Sequence, residues 1–159
     1  MSLGRVLLAT FVAGMVGAVA EMAFVLPIQQ FILGHSPMTV FRSIAVGALG
    51  PAALDEGLRS AVLGMVIHVL VSLGAAGVYV LIATRWRALI LRPLASGVVF
   101  GAMVYVVMTF VVVPLSAIGF QPPKTTDLFA ASFAIHLFAF GAPIALTARA
   151  MLTAPITKA

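Results

Sequence analysis

Four long apolar runs constrain this chain more than any other feature. They cover about residues 5–27, 58–83, 94–117 and 127–150, and each can cross roughly 30 Å of hydrocarbon as a helix. The 159 residues are 63% hydrophobic and only 8% charged, a composition that excludes a water-soluble globule. We therefore predict an all-α membrane protein: a single transmembrane domain over residues 1–159, folded as an up-down-up-down bundle of four helices.

The charged residues divide unequally between the two sides of this predicted bundle. One side holds six basic residues and no acidic one: Arg5, Arg85, Arg87, Arg92, Arg149 and Lys158. The other side mixes both signs: Arg42, Arg59 and Lys124 with Asp55, Glu56 and Asp127. By the positive-inside rule both termini are expected in the cytoplasm. Because the basic residues do not cluster with stacking aromatics, the lipid bilayer is the expected partner and nucleic acid is not.

The connector after the first run is long and keeps an apolar helical period. Pro27 is expected to end the first helix, and Ser36 followed by Pro37 is typical of a helix start. We predict a short amphipathic helix over about 37–47, lying in the membrane interface. The second transmembrane helix is expected to begin at Pro51 and to extend to about residue 83.

The two halves of the chain resemble each other. One register matches three pairs in the first and third helices: Arg5 with Arg92, Gly14 with Gly101, and Pro27 with Pro114. The second and fourth helices then correspond through Ile67-His68 and Ile135-His136. This pattern predicts a duplicated helical hairpin, a parallel repeat about an axis along the membrane normal.

Three ionisable side chains lie within the uncharged runs: Glu21, His68 and His136. In the predicted topology the two histidines lie roughly 13 Å from the outer helix ends and Glu21 roughly 9 Å. A carboxylate at that depth is either protonated or paired, because an unpaired charge in hydrocarbon is costly. We predict a buried polar site formed by these three residues, with three hydroxyls within reach: Tyr105, Ser72 and Ser132.

This site leaves three functions open. The first is a non-enzymatic accessory or scaffold subunit in which the polar site fixes helix packing. The second is an electron-transfer subunit holding a b-type haem, with His68 and His136 as axial ligands and with Gly64 and Gly101 making space for the porphyrin. The third is a proton-coupled small-molecule carrier that acts as an oligomer. Partners would then be other membrane subunits or further copies of the chain.

The sequence contains no motif that is typical of an enzyme or of a metal site. None of the serines forms a Gly-x-Ser-x-Gly elbow, and there is no P-loop. Glu21, His68 and His136 would have to ligate a metal from three different helices without a local ligand pair. We therefore predict neither an enzyme nor a metal site.

Four segments resemble a family of small bacterial inner-membrane proteins, a domain of unknown function with four helices. They are residues 36–50, 63–68, 104–116 and 136–146. The resemblance implies a multi-pass protein of the bacterial inner membrane, with an acidic residue where Glu21 stands and histidines where His68 and His136 stand. The family often shows Met-Asn-Phe in the third helix, whereas this chain has Met108-Thr109-Phe110.

Overall fold

The computed structural model describes residues 2–120 and 125–154, and within these ranges the chain is helical and contains no strand. Four of its helices are long and apolar enough to cross a membrane, as an integral membrane protein requires. The helices are α1 (Leu3–Leu33), α2 (Pro37–Leu49), α3 (Leu58–Arg85), α4 (Arg87–Leu91), α5 (Pro93–Leu115) and α6 (Thr126–Thr153).

Pro27 does not end the first helix, so the predicted boundary near residue 27 is wrong. Helix α1 continues to Leu33 and stops at Gly34, whose left-handed backbone (φ 71°) closes the last turn. Six more residues that favour a helix follow Pro27. A membrane helix tolerates the loss of the one backbone hydrogen bond that a proline cannot donate. The residues that this extension adds include Gln29 and Leu33, which line a cavity together with Glu21.

The start of the second membrane-capable helix also differs from the prediction. Pro51–Leu54 forms one separate 3₁₀ turn. Helix α3 begins only at Leu58, because the positive φ of Gly57 (68°) is incompatible with a right-handed helix at that residue. Asp55 and Glu56 therefore lie exposed in the connection. A helix that began at Pro51 would have included both carboxylates, whereas they precede the first residue of α3.

Helix α2 lies where the sequence predicted a short helix over about 37–47. Ser36 caps it by accepting a hydrogen bond from the Thr39 N–H at 3.2 Å, and Pro37 occupies its first turn. The helix packs chiefly on α3. Arg42 ties its outer side to the start of α3 by donating to the carbonyl oxygens of Gly57 and Leu54.

Helices α5 and α6 each contain a wide π-helical segment shortly before a proline. The segments are Met108–Val112, followed by Pro114, and Ile135–Gly141, followed by Pro143. Pro143 lacks a backbone N–H and therefore removes one hydrogen bond from α6 shortly after His136. In the structure the α6 backbone widens over a stretch that includes His136, and such wide turns often occur at functional positions.

Close approaches at glycines bring the long helices together. A Cβ on Gly14 would lie 2.9 Å from the Leu73 Cα on α3, and one on Gly97 would lie 2.8 Å from the Ala142 Cα on α6. Helix α1 thereby packs against both α3 and α6, while α5 packs mainly against α6. Backbones this close explain how a chain rich in small residues holds its helices without a large aromatic core.

The ends of the described chain meet at the side away from α2. The Arg5 guanidinium donates to the carbonyl oxygens of Met151, at 2.9 Å, and of Ala154. These carbonyls have no partner within their own helix, so Arg5 satisfies the C-terminal end of α6. On the same side, the buried Tyr79 hydroxyl lies 2.8 Å from Ser96 Oγ and links α3 to α5.

Candidate functional site

A single carboxylate lies between two imidazoles near the centre of the molecule. Glu21 on α1 is only 8% exposed. Its Oε1 lies 3.4 Å from His136 Nε2 on α6, and its Oε2 lies 4.0 Å from His68 Nε2 on α3. The structure thus brings together the three ionisable residues that the sequence singled out, and we call them the Glu-His-His cluster.

The second contact of each histidine fixes which ring nitrogen carries hydrogen. His136 Nδ1 lies 2.9 Å from the Ser132 carbonyl oxygen and His68 Nε2 lies 3.2 Å from the Ala18 carbonyl oxygen. A carbonyl oxygen only accepts hydrogen bonds, so these two nitrogens donate.

A shared proton would stabilise the contact between Glu21 and His136. With hydrogen on Nδ1, a neutral His136 would turn the lone pair of Nε2 toward Glu21 Oε1. Two acceptors facing each other at 3.4 Å repel unless a proton lies between them, either on the carboxyl group or on the imidazole. A proton held between these two atoms would be buried, because Glu21 is only 8% exposed.

The three predicted hydroxyl residues take different places around the cluster. Ser72 is buried, and its hydroxyl donates to the His68 carbonyl oxygen at 2.9 Å. Ser132 contacts His136 through its backbone carbonyl. Tyr105 packs its ring edge-on against His136 with the centroids 5.1 Å apart. Its buried hydroxyl has no hydrogen-bond partner among the described residues.

The spaces beside Gly64 and Gly101 are filled by protein backbone. A Cβ on Gly64 would overlap the Phe41 carbonyl oxygen of α2, and a Cβ on Gly101 would overlap the His136 carbonyl oxygen. These glycines, proposed from sequence to make space for a porphyrin, instead admit neighbouring helices. His68 Nε2 already donates to Ala18, and a carboxylate lies between the two imidazoles. This geometry favours a hydrogen-bonded cluster over axial ligation of a haem.

A cavity of about 680 Å³ ends on the Glu-His-His cluster. All four membrane-capable helices line it, and α2 also contributes to its wall. Most lining residues are apolar, among them Val25, Ile67, Val71, Met108 and Ile135. Apart from the cluster, the polar lining residues of the described chain are Gln29, Ser43, Ser116 and Ser132. The size and lining are typical of a pocket for a small organic molecule.

Sequence reasoning missed the groups that orient the cluster. The Ala18 carbonyl holds His68, and a backbone acceptor leaves no trace in side-chain identity. Phe129 and Phe133 enclose Tyr105, with centroid distances of 5.6 Å and 5.3 Å. Their four-residue spacing on the face next to His136 was a signal that could have revealed them.

The described residues contain no group of three His, Cys, Asp or Glu side chains arranged to hold a metal ion. Comparison with known proteins adds no further guide, because no protein family, curated protein or solved structure matches the chain.

Proposed function

We propose that this chain is an integral membrane protein that exchanges protons at Glu21, His68 and His136 while a small molecule occupies the adjoining cavity. The observation behind this proposal is the opposition of Glu21 Oε1 and His136 Nε2 at 3.4 Å, a contact that a shared proton would stabilise. The cavity that ends on the same carboxylate makes the proton responsive to an occupant. Coupling of this kind is what a proton-linked carrier needs, and a four-helix chain would perform it as an oligomer.

The topology that we propose for this function is an up-down-up-down bundle in a bacterial inner membrane, with both termini in the cytoplasm. The contact of Arg5 with the end of α6 supports termini on one side. The concentration of basic residues near that side supports a cytoplasmic orientation. Membership in the family of small bacterial four-helix proteins is part of the same proposal.

We also propose that the bundle is a duplicated hairpin whose symmetry breaks at the cluster. The alignment that pairs Arg5 with Arg92 also pairs Ala18 with Tyr105. The contacts of the two histidines support this alignment, because His68 contacts Ala18 and His136 contacts Tyr105. The same register sets Glu21 on Met108. One carboxylate would thus serve two equivalent histidines, and only one half would provide the acid.

The test of proton exchange is infrared difference spectroscopy of the purified protein between about pH 5 and pH 9, a range that spans histidine titration. We expect a carboxyl or carboxylate band that changes with pH and disappears in Glu21→Gln. Glu56→Gln is the matched control, because Glu56 is exposed and lies outside the cavity. A spectrum without any change assignable to Glu21 would reduce the cluster to a packing element.

That structural role is the second candidate, an accessory or scaffold subunit. It is favoured by the hydrogen bond from His68 to the Ala18 carbonyl, which joins α3 to α1 independently of any proton on Glu21. In this case His68→Ala would lower the stability of the protein by about 1–2 kcal/mol, and Glu21→Gln would leave it nearly unchanged.

A further inference from the structure

We infer that the cavity takes a small lipophilic amine, whose ammonium group pairs with Glu21 and replaces a proton of the Glu-His-His cluster. This inference names the ligand class of the proposed site and therefore rests on the proposed function. Three features of the cavity lead to it: its size, the charges along its wall, and the position of Glu21.

The size and lining of the cavity indicate the size and polarity of the ligand. A volume of about 680 Å³ lies within the range of pockets for drug-sized molecules, about 300–1,000 Å³. Because its wall is mainly aliphatic, the part of the ligand away from the cluster must be apolar. Outside the cluster the described lining offers one amide and three serines, which are few polar groups for a sugar or a nucleotide.

The charges along the cavity wall indicate the charge of the ligand's polar group. Among the described lining residues Glu21 is the one carboxylate, and none is a lysine or an arginine. Within this described lining an anionic ligand would therefore meet a carboxylate and no permanent cation, whereas an ammonium group complements the carboxylate. Both imidazoles stand at 3.4–4.0 Å from the carboxylate. These distances are longer than those of tight charge-assisted hydrogen bonds, about 2.7–2.9 Å.

Charge balance links amine binding to proton release. Before binding, the cluster is neutral when Glu21 is ionised and one imidazole is protonated. An arriving ammonium ion would make the site cationic, so the imidazolium gives its proton to solvent and the site becomes neutral again. In the described part of the chain, the titratable groups that face Glu21 are His68 from α3 and His136 from α6, with Tyr105 of α5 behind His136. Helix α2 presents Ser43 to the cavity and no titratable group.

The test uses three ligands with one skeleton: diphenylpropylamine, diphenylpropanol and diphenylpropanoate. Binding to the full chain in mild detergent is measured by isothermal titration calorimetry, with protein-free micelles as the blank. We expect the amine to bind at least about tenfold more tightly than the alcohol and the carboxylate to bind least. Repeating the titration in buffers of different ionisation enthalpy should show about one proton released per amine. Equal binding of the amine and the alcohol, or amine binding without proton release, would overturn the inference.

Variants separate this inference from the proposed function. Glu21→Gln should weaken amine binding about thirtyfold or more, since a buried charge loses its partner, whereas Glu56→Gln should not. Ala131→Phe fills the cavity from α6 and should abolish amine binding while the infrared signal of Glu21 persists. Ala134→Phe is its control, because Ala134 is exposed on the same helix and does not line the cavity. Undiminished binding to Ala131→Phe would place the amine elsewhere, and an intact infrared response without amine binding would refute the ligand class alone.

Discussion

Replacement of Gly64 by alanine tests the contact that places α2 over the cavity. The new Cβ would overlap the carbonyl oxygen of Phe41 and lie 2.7 Å from its carbonyl carbon. Carbon atoms pack at about 3.5–4.0 Å, so that carbon alone requires the helices to separate by at least about 0.8 Å. The obstructing atoms are backbone, and no side-chain rotation can relieve the overlap. Overpacking of this kind costs about 1–3 kcal/mol.

Gly74→Ala is the matched control for this prediction. Gly74 lies on the same helix, and a Cβ there would meet nothing within 4 Å. Both variants gain the helix propensity of alanine over glycine, up to about 1 kcal/mol, so this gain cancels in their comparison. Unfolding by dodecyl sulfate in mixed micelles, followed by circular dichroism, should show Gly64→Ala less stable than Gly74→Ala by about 1–3 kcal/mol. Equal stability of the two variants would show that α2 does not pack closely against Gly64.

Three further predictions concern hydroxyl groups. Tyr79→Phe should lower the free energy of unfolding by about 1 kcal/mol because it removes the contact with Ser96. Tyr105→Phe should be neutral or stabilising, since the buried Tyr105 hydroxyl has no partner in the described chain. The same unfolding assay measures both, and a larger loss at Tyr105 than at Tyr79 would contradict the hydrogen-bond assignment. Ser36→Ala should remove the N-cap of α2 and lower the free energy of unfolding by about 1 kcal/mol. Amide hydrogen exchange should become faster in the first turn of α2 and stay unchanged in α1.

The membrane-capable helices were predictable because hydrophobic length and low charge leave little choice of structure. The start of α2 was equally readable, since Ser36 and Pro37 act through local chemistry. The errors arose where a proline stood near a helix end. Pro27 lies inside α1 and Pro51 begins a separate turn, because the glycines at 34 and 57, with positive φ, decide where those helices end and begin.

The members of the candidate site were also predictable, whereas their hydrogen bonding was not. Glu21, His68 and His136 stood out as polar residues in apolar runs, and helical rise placed them at similar depths. The roles of the Ala18 and Ser132 carbonyls depend on how the helices cross and on the wide turn of α6. The cavity likewise depends on where α2 packs, which a local sequence pattern does not specify.

The central claim is that one carboxylate exchanges a proton with both histidines. The most direct measurement is the pH-dependent infrared signal of Glu21, recorded in the parent protein, in His136→Ala and in His68→Ala. The account predicts that either substitution shifts the pH midpoint of the Glu21 band, with the larger shift in His136→Ala because its contact is 3.4 Å against 4.0 Å. A midpoint that stays the same in both variants would show that Glu21 titrates alone and would contradict the account.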